Sequence, residues 1–182
     1  MIRLLRAVLA AATIAAGLLA IDAAPAAAAT DVWSIYAYHR NWIIPKGGAT
    51  AQSTQVVLSN PINTDVMNYW FEPGPQDSNG TYYYHIRNVA SSKCLNVQGG
   101  STANSAHVIL FTCAAASAGG NDWWLPIYAK REGIDDYYLL KNMKSGKCLN
   151  IQGGSSTPGA LVIQFTCDFN AQNEWFTWVR RA

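Results

Sequence analysis

The sequence predicts an all-β chain, and three observations carry that prediction. The segment from Lys93 to Cys113, KCLNVQGGSTANSAHVILFTC, recurs without a gap from Lys147 to Cys167 as KCLNIQGGSSTPGALVIQFTC. A decayed copy lies upstream. There, Gly47-Gly48 stands for Gly99-Gly100 and Gly153-Gly154, and Val56-Val57-Leu58 stands for Val108-Ile109-Leu110 and for Leu161-Val162-Ile163 or its neighbours. The repeat period is a little over fifty residues, which makes the internal repeat the first determinant of architecture. Finally, no stretch after the leader carries an apolar stripe at helical spacing, and Gly, Ser, Thr, Asn and β-branched residues dominate.

Within each unit, short apolar or aromatic runs alternate with turn clusters. Tyr82 to Ile86, Cys94 to Val97, His107 to Phe111 and Trp123 to Tyr128 are separated by groups such as Gly99-Gly100-Ser101 and Gly119-Gly120-Asn121. This reads as about four short strands per unit. The paired glycines are expected to occupy turns of positive φ. Each copy closes on an Asn-x-Trp, at Asn68-Tyr69-Trp70, Asn121-Asp122-Trp123 and Asn173-Glu174-Trp175, so the three tryptophans are expected to anchor a shared core. Three units are too few for a propeller of four-stranded blades, and the chain has no spare residues to cap an open solenoid. Closed threefold packing remains: a β-trefoil of three pseudo-equivalent repeats, over about 31–78, 79–134 and 135–182.

The N-terminus reads as a signal peptide over residues 1–29. Arg3 and Arg6 precede an apolar run from Ala7 to Ile21, and the small-residue tract ends at Ala27-Ala28-Ala29, where cleavage is expected. The run is shorter than the roughly 20 residues of a spanning helix, so no membrane span is expected. The alanine-rich leader is of bacterial character, and the expected location is secreted, extracellular. Export leaves residues 30–182 as one domain with eleven basic and ten acidic side chains, since Arg3, Arg6 and Asp22 depart with the leader. No basic cluster exceeds Arg180-Arg181, so nucleic acid is not an expected partner.

All four cysteines lie in the two well-preserved repeats with identical separations. In an exported chain an even count favours disulfides. Four cysteines allow three pairings, but a unit that folds the same way twice should close within itself, joining Cys94 to Cys113 and Cys148 to Cys167. No C-x-x-C or H-x-x-x-H spacing occurs and His39, His85 and His107 are scattered, so neither a metal nor another cofactor is expected.

The compound pattern of Cys-Leu-Asn-(Val/Ile)-x-Gly-Gly, an apolar strand ending in aromatic-Thr-Cys, and Asn-x-Trp resembles the ricin B-type lectin domain, also known as a carbohydrate-binding module. The resemblance runs from about Val32 to Ala182. It implies a glycan or polysaccharide ligand held one lobe at a time, by an aromatic face for the apolar side of a sugar ring and fixed polar groups for its hydroxyls. By position the aromatic is Phe111 in the second repeat and Phe165 in the third, and the polar residue is Asn96 or Asn150 where the family carries Asp. An Asn loses the charge-assisted contact of an ionised Asp. The first repeat has Ile44 and Ser59 at these places, with Trp42 and Pro61 at the cysteine positions, and is expected to be blind.

With the Asn-x-Trp tryptophan as the fixed register, Asn121 and Asn173 replace the family's structural Gln. Only Gln172 then keeps a side chain at the sugar-contacting Asn position, which favours the third lobe. Asp122 and Glu174 are expected to be solvated strand positions. The expected function is a secreted, non-catalytic carbohydrate-binding lectin. The alternative is a protein-binding β-trefoil, a toxin-like targeting subunit or protease inhibitor with decayed sugar sites, whose protein partner the sequence does not identify. An enzyme is not expected: no G-x-S-x-G elbow, H-E-x-x-H, P-loop or dinucleotide fingerprint occurs.

Overall fold

A computed structural model describes residues 31–60, 68–115 and 119–181. The signal-peptide expectation lies outside them. Twelve strands follow in chain order: β1 (Val32–Ala37), β2 (Trp42–Pro45), β3 (Val56–Ser59), β4 (Asn68–Gln76), β5 (Tyr82–Asn88), β6 (Cys94–Val97), β7 (Val108–Phe111), β8 (Trp123–Glu132), β9 (Asp135–Asn142), β10 (Cys148–Ile151), β11 (Val162–Phe165) and β12 (Phe176–Arg181). The fold is the β-trefoil, with four strands to each repeat.

Six strands close a barrel by antiparallel pairing around the ring β1, β4, β5, β8, β9, β12 and back to β1. The other six form three hairpins, β2–β3, β6–β7 and β10–β11. After the first strand of each hairpin the chain reverses through a Gly-Gly pair, and all six of these glycines lie at φ between +60° and +70°. L side chains rarely adopt that conformation, which is why the pair persists even in the decayed first copy.

The hairpins are tied to one another in a ring. The Leu110 amide donates to Thr54 O at 2.8 Å, the Gln164 amide to Ala106 O at 2.9 Å, and the Leu58 amide to Ala160 O at 2.9 Å. In return, the amides of Ser53, Ser105 and Gly159 donate to the carbonyls of Leu110, Gln164 and Leu58. Each lobe thus grips the next, and the third grips the first.

Below this cap the core repeats in layers of three. Ile35, Ile86 and Leu140 form one layer, Ile43, Leu95 and Leu149 a second, and Val56, Val108 and Val162 a third, all without solvent exposure. The large rings of this core are Tyr69, Trp124 and Phe176, not the expected Trp70, Trp123 and Trp175. The Trp124 indole donates to Leu95 O at 2.9 Å, and Tyr69 Oη donates to the equivalent Ile43 O at 3.0 Å. Backbone bonding fixes the same register, because Asn68, Trp123 and Trp175 offer equivalent carbonyls to Val89, Met143 and Tyr38. The Asn-x-Trp of the first copy is therefore a chance likeness, displaced by two residues from the other two.

Trp123 and Trp175 are buried away from the axis. Trp123 stacks on His85 with ring centroids 3.5 Å apart and lies so close over Gly74 that a Cβ there would fall 2.0 Å from its ring. Trp175 packs with Tyr137, Leu139 and Cys148 in a satellite cluster. The two disulfides join Cys94 to Cys113 and Cys148 to Cys167, one within each repeat, as expected. Among the described residues no helix is long and apolar enough to cross a membrane. Trp124→Ala should cost about 3–5 kcal/mol in urea denaturation, the range for a large core aromatic, whereas Trp70→Ala at its half-buried position should cost only about 1 kcal/mol.

Candidate functional site

Two cavities occupy equivalent places in the second and third lobes. Each lies where a hairpin meets the loop that returns to the barrel. The second-lobe cavity, of about 580 Å³, includes Asn96, Gln98, Phe111, Thr112 and Asn121. The third-lobe cavity, of about 480 Å³, includes Asn150, Phe165, Thr166, Asn173 and Glu174. Phe111 and Phe165 end β7 and β11 and remain 36% and 40% exposed, so their rings are not spent on the core. Strand alternation accounts for this: Leu110 and Gln164, one residue earlier, point into the closed interior.

The amides beside each ring are held by one another. Asn121 Nδ2 donates to Asn96 Oδ1 at 2.9 Å and to Val97 O at 3.2 Å. Asn173 Nδ2 repeats both contacts, to Asn150 Oδ1 at 3.1 Å and Ile151 O at 3.2 Å. The structure thus brings together Asn96, Phe111 and Asn121 in one lobe and Asn150, Phe165 and Asn173 in the other. Gln172, expected to face a sugar, is exposed on the short turn Gln172–Glu174 and lines neither cavity. The register of the core rings explains this: once Trp124 and Phe176 are the fixed points, Asn121 and Asn173 move to the cavity-facing place and Gln172 moves one step past it.

The same shift overturns the expectation that Asp122 and Glu174 are solvated. Asp122 has no exposure and Glu174 only 1%. Glu174 Oε2 accepts the Asp168 amide at 2.8 Å and Asp122 Oδ2 accepts the Ala114 amide at 2.7 Å, so each carboxylate pins the chain just after the second half-cystine of its repeat. Burial pushes the Glu174 carboxyl above the usual range, partly opposed by the donors on its two oxygens.

One methylene separates the two lobes chemically. Glu174 Oε1 also accepts Asn150 Nδ2 at 2.9 Å, which commits both ends of the Asn150 amide. The shorter Asp122 lies instead 3.2 Å from His85 Nε2. Asn96 Nδ2 makes no hydrogen bond to a described residue. In the first lobe the equivalent residue, Ile44, is buried with Val57 against Trp42 and Leu161. Among the lining residues of the second cavity that sequence reasoning did not name, Ser53 and Lys144 arrive from the other two repeats.

The sequence model of the ricin-type β-trefoil lectin domain-like family matches residues 20–111, 68–165 and 120–182. No curated protein matches the chain. Among solved structures, a designed threefold-symmetric protein, ThreeFoil, superposes with a TM-score of 0.68 at 24% identity, over 81% of this chain and 97% of that one. The Rhizoctonia solani agglutinin gives 0.65 at 12% identity, over 87% of this chain and 100% of that one. An exo-β-1,3-galactanase from Clostridium thermocellum gives 0.70 at 18% identity over 84% of this chain, which spans only 30% of that enzyme. At these identities the likeness concerns the fold. Glu174→Ala should lower stability by about 1–3 kcal/mol, because it strands the buried Asn150 Nδ2 and releases the Asp168 amide, and the Asn150 side-chain amide protons should exchange faster by NMR.

Proposed function

The chain belongs to the ricin-type β-trefoil lectin domain-like family, and from that premise we propose that it is an exported, non-catalytic lectin that binds glycans through the cavities of its second and third lobes. The observation that carries this reading is the double occurrence of an exposed phenylalanine beside a fixed pair of amides. A sugar ring has an apolar face and a rim of hydroxyls, and a site for it needs one flat apolar surface and a few polar groups held in place. Phe111 and Phe165 supply the surface. Asn96 with Asn121, and Asn150 with Asn173, supply amides whose orientation is set by each other and by a backbone carbonyl.

Asn121 Oδ1 and Asn173 Oδ1, which have no partner among the described residues, are left to accept from sugar hydroxyls. With Asn96 and Asn150 where a carboxylate would make a charge-assisted bond, the contact at that position is weaker than in a lobe built on Asp. A single cavity should therefore bind a monosaccharide at about millimolar strength, roughly 4 kcal/mol. Two cavities on one rigid body gain through effective concentration when the ligand is a polymer or a crowded surface. Export is supported by the two disulfides, which persist in oxidising compartments.

A glycan array competed with free sugar tests the reading. Against the best array ligand, Phe111→Ala and Phe165→Ala should each weaken binding to immobilised glycan, and the double variant should lose it, with melting temperatures unchanged. Ser59→Ala in the first lobe should have no effect. Full affinity in a folded double variant would remove both cavities from the binding surface and put the protein-binding alternative ahead.

A further inference from the structure

The two cavities share a scaffold but differ in charge. Asp168 and Glu174 are among the residues lining the third-lobe cavity, and no cation is. The second-lobe cavity has the reverse: Lys144 lines it and no carboxylate does. Resting on the lectin reading above, we propose that the second-lobe cavity selects a sugar carrying an anionic substituent, a carboxylate or a sulfate, and that Lys144 is the residue that recognises it.

Lys144 belongs to the turn between β9 and β10, in the third repeat, and reaches the second lobe from there. Its position is fixed through the backbone. The Lys144 amide donates to Gly120 O at 3.2 Å and to Asn142 Oδ1 at 3.1 Å, while the neighbouring Met143 amide donates to Trp123 O at 2.9 Å. Gly120 directly precedes Asn121, so the turn carrying the lysine is clamped to the segment carrying the cavity amide. The ammonium then lies over Gly100. A Cβ on Gly100 would stand 2.6 Å from Lys144 Nζ and 3.7 Å from Asn121 Nδ2, so the ammonium stands beside the cavity amide at the cavity wall. Gly100, at φ +60°, leaves the space they share.

The charge on Lys144 is also unspent. The side chain is exposed and forms no ion pair among the described residues. The lobe's own carboxylate, Asp122, is fully buried and engaged by the Ala114 amide, with His85 beside it. An anionic group on a sugar stacked at Phe111 would gain a charge-assisted contact that a neutral sugar cannot make. Lysine serves either anion as a point charge. In the third-lobe cavity the same group would meet the exposed Asp168 and be disfavoured.

The test isolates the second cavity in a Phe165→Ala background and measures affinity by titration. The probes are galacturonate and glucuronate oligosaccharides beside their methyl esters, and a sulfated galacto-oligosaccharide beside its desulfated form. The acidic form of the accepted sugar should bind about fivefold more tightly than its neutral counterpart, the scale of one solvent-exposed ion pair. The gap should shrink as salt is added. Whichever pair shows the gap identifies carboxylate or sulfate as the group read. Lys144→Gln should bring the acid down to the level of the neutral form, Lys144→Glu should invert the order, and Lys144→Arg should keep it. Equal binding of acid and neutral forms, or a gap that survives Lys144→Gln, overturns the proposal while leaving the lectin reading in place. If no saccharide binds in the Phe165→Ala background in a manner that Phe111→Ala abolishes, the proposal fails; the lectin reading fails with it only if the wild-type protein also binds no saccharide that Phe165→Ala releases.

Discussion

The ring of backbone hydrogen bonds across the hairpin cap is the constraint on which the rest of this molecule depends. Leu110, Gln164 and Leu58 each donate to the loop of another lobe, and each of their carbonyls accepts from the same loop. Backbone groups buried at the centre of a small fold must be paired, and here the partners always belong to a different repeat. No lobe can therefore complete its own hydrogen bonding, and closure needs all three. Because the ring uses only main-chain atoms, side chains are free to diverge once its geometry is met. Gln164 shows the latitude. It stands where Leu58 and Leu110 stand, fully buried, and is tolerated because its amide is bonded at both ends, to Ser101 O, Ala103 O and Ser145 Oγ.

The same constraint explains the first lobe. It lacks the cysteines and the exposed aromatic, yet its hairpin is retained as the third member of the ring. Ile44 and Val57 fill the space where the other lobes keep Asn96 or Asn150, and Leu161 from the third repeat packs against them. A lobe can thus lose every feature of a ligand cavity and still serve as a wall for its neighbours. The architecture needs three hairpins, but it does not need three cavities.

The repeat made the architecture legible in the sequence, along with the glycine turns, the pairing of the cysteines and the placement of Phe111 and Phe165. Those features recur at fixed spacing or follow from strand alternation. The register of the closing motif did not follow, because two aromatic residues are adjacent in each later repeat, Trp123-Trp124 and Trp175-Phe176, and a likeness at Asn68-Tyr69-Trp70 favoured the wrong member. Only packing distinguishes them: Trp124 reaches Leu95 O on the axis, while Trp123 lies over Gly74. That single step also put Gln172, which lines neither cavity, at the contact position and took Asp122 and Glu174 for surface residues. Lys144 and Ser53 were beyond reach for a different reason. A residue supplied to a cavity by another repeat leaves no trace in the spacing of the repeat it serves.

The difference between the two cavities comes from a small change under a large fixed frame. Asp122 and Glu174 do the same structural work, holding the loop after the second half-cystine, so either length satisfies the fold. The extra methylene of Glu174 lets its other oxygen bind Asn150, while both carboxylates stay buried. With Asp122 the Asn96 Nδ2 has no described partner, and the charge lining that cavity is the lysine of the adjoining lobe, where the third cavity has the exposed Asp168. Positions 122, 174 and 144 can vary in charge without disturbing the ring that holds the lobes together, since none of the three contributes a backbone group to it.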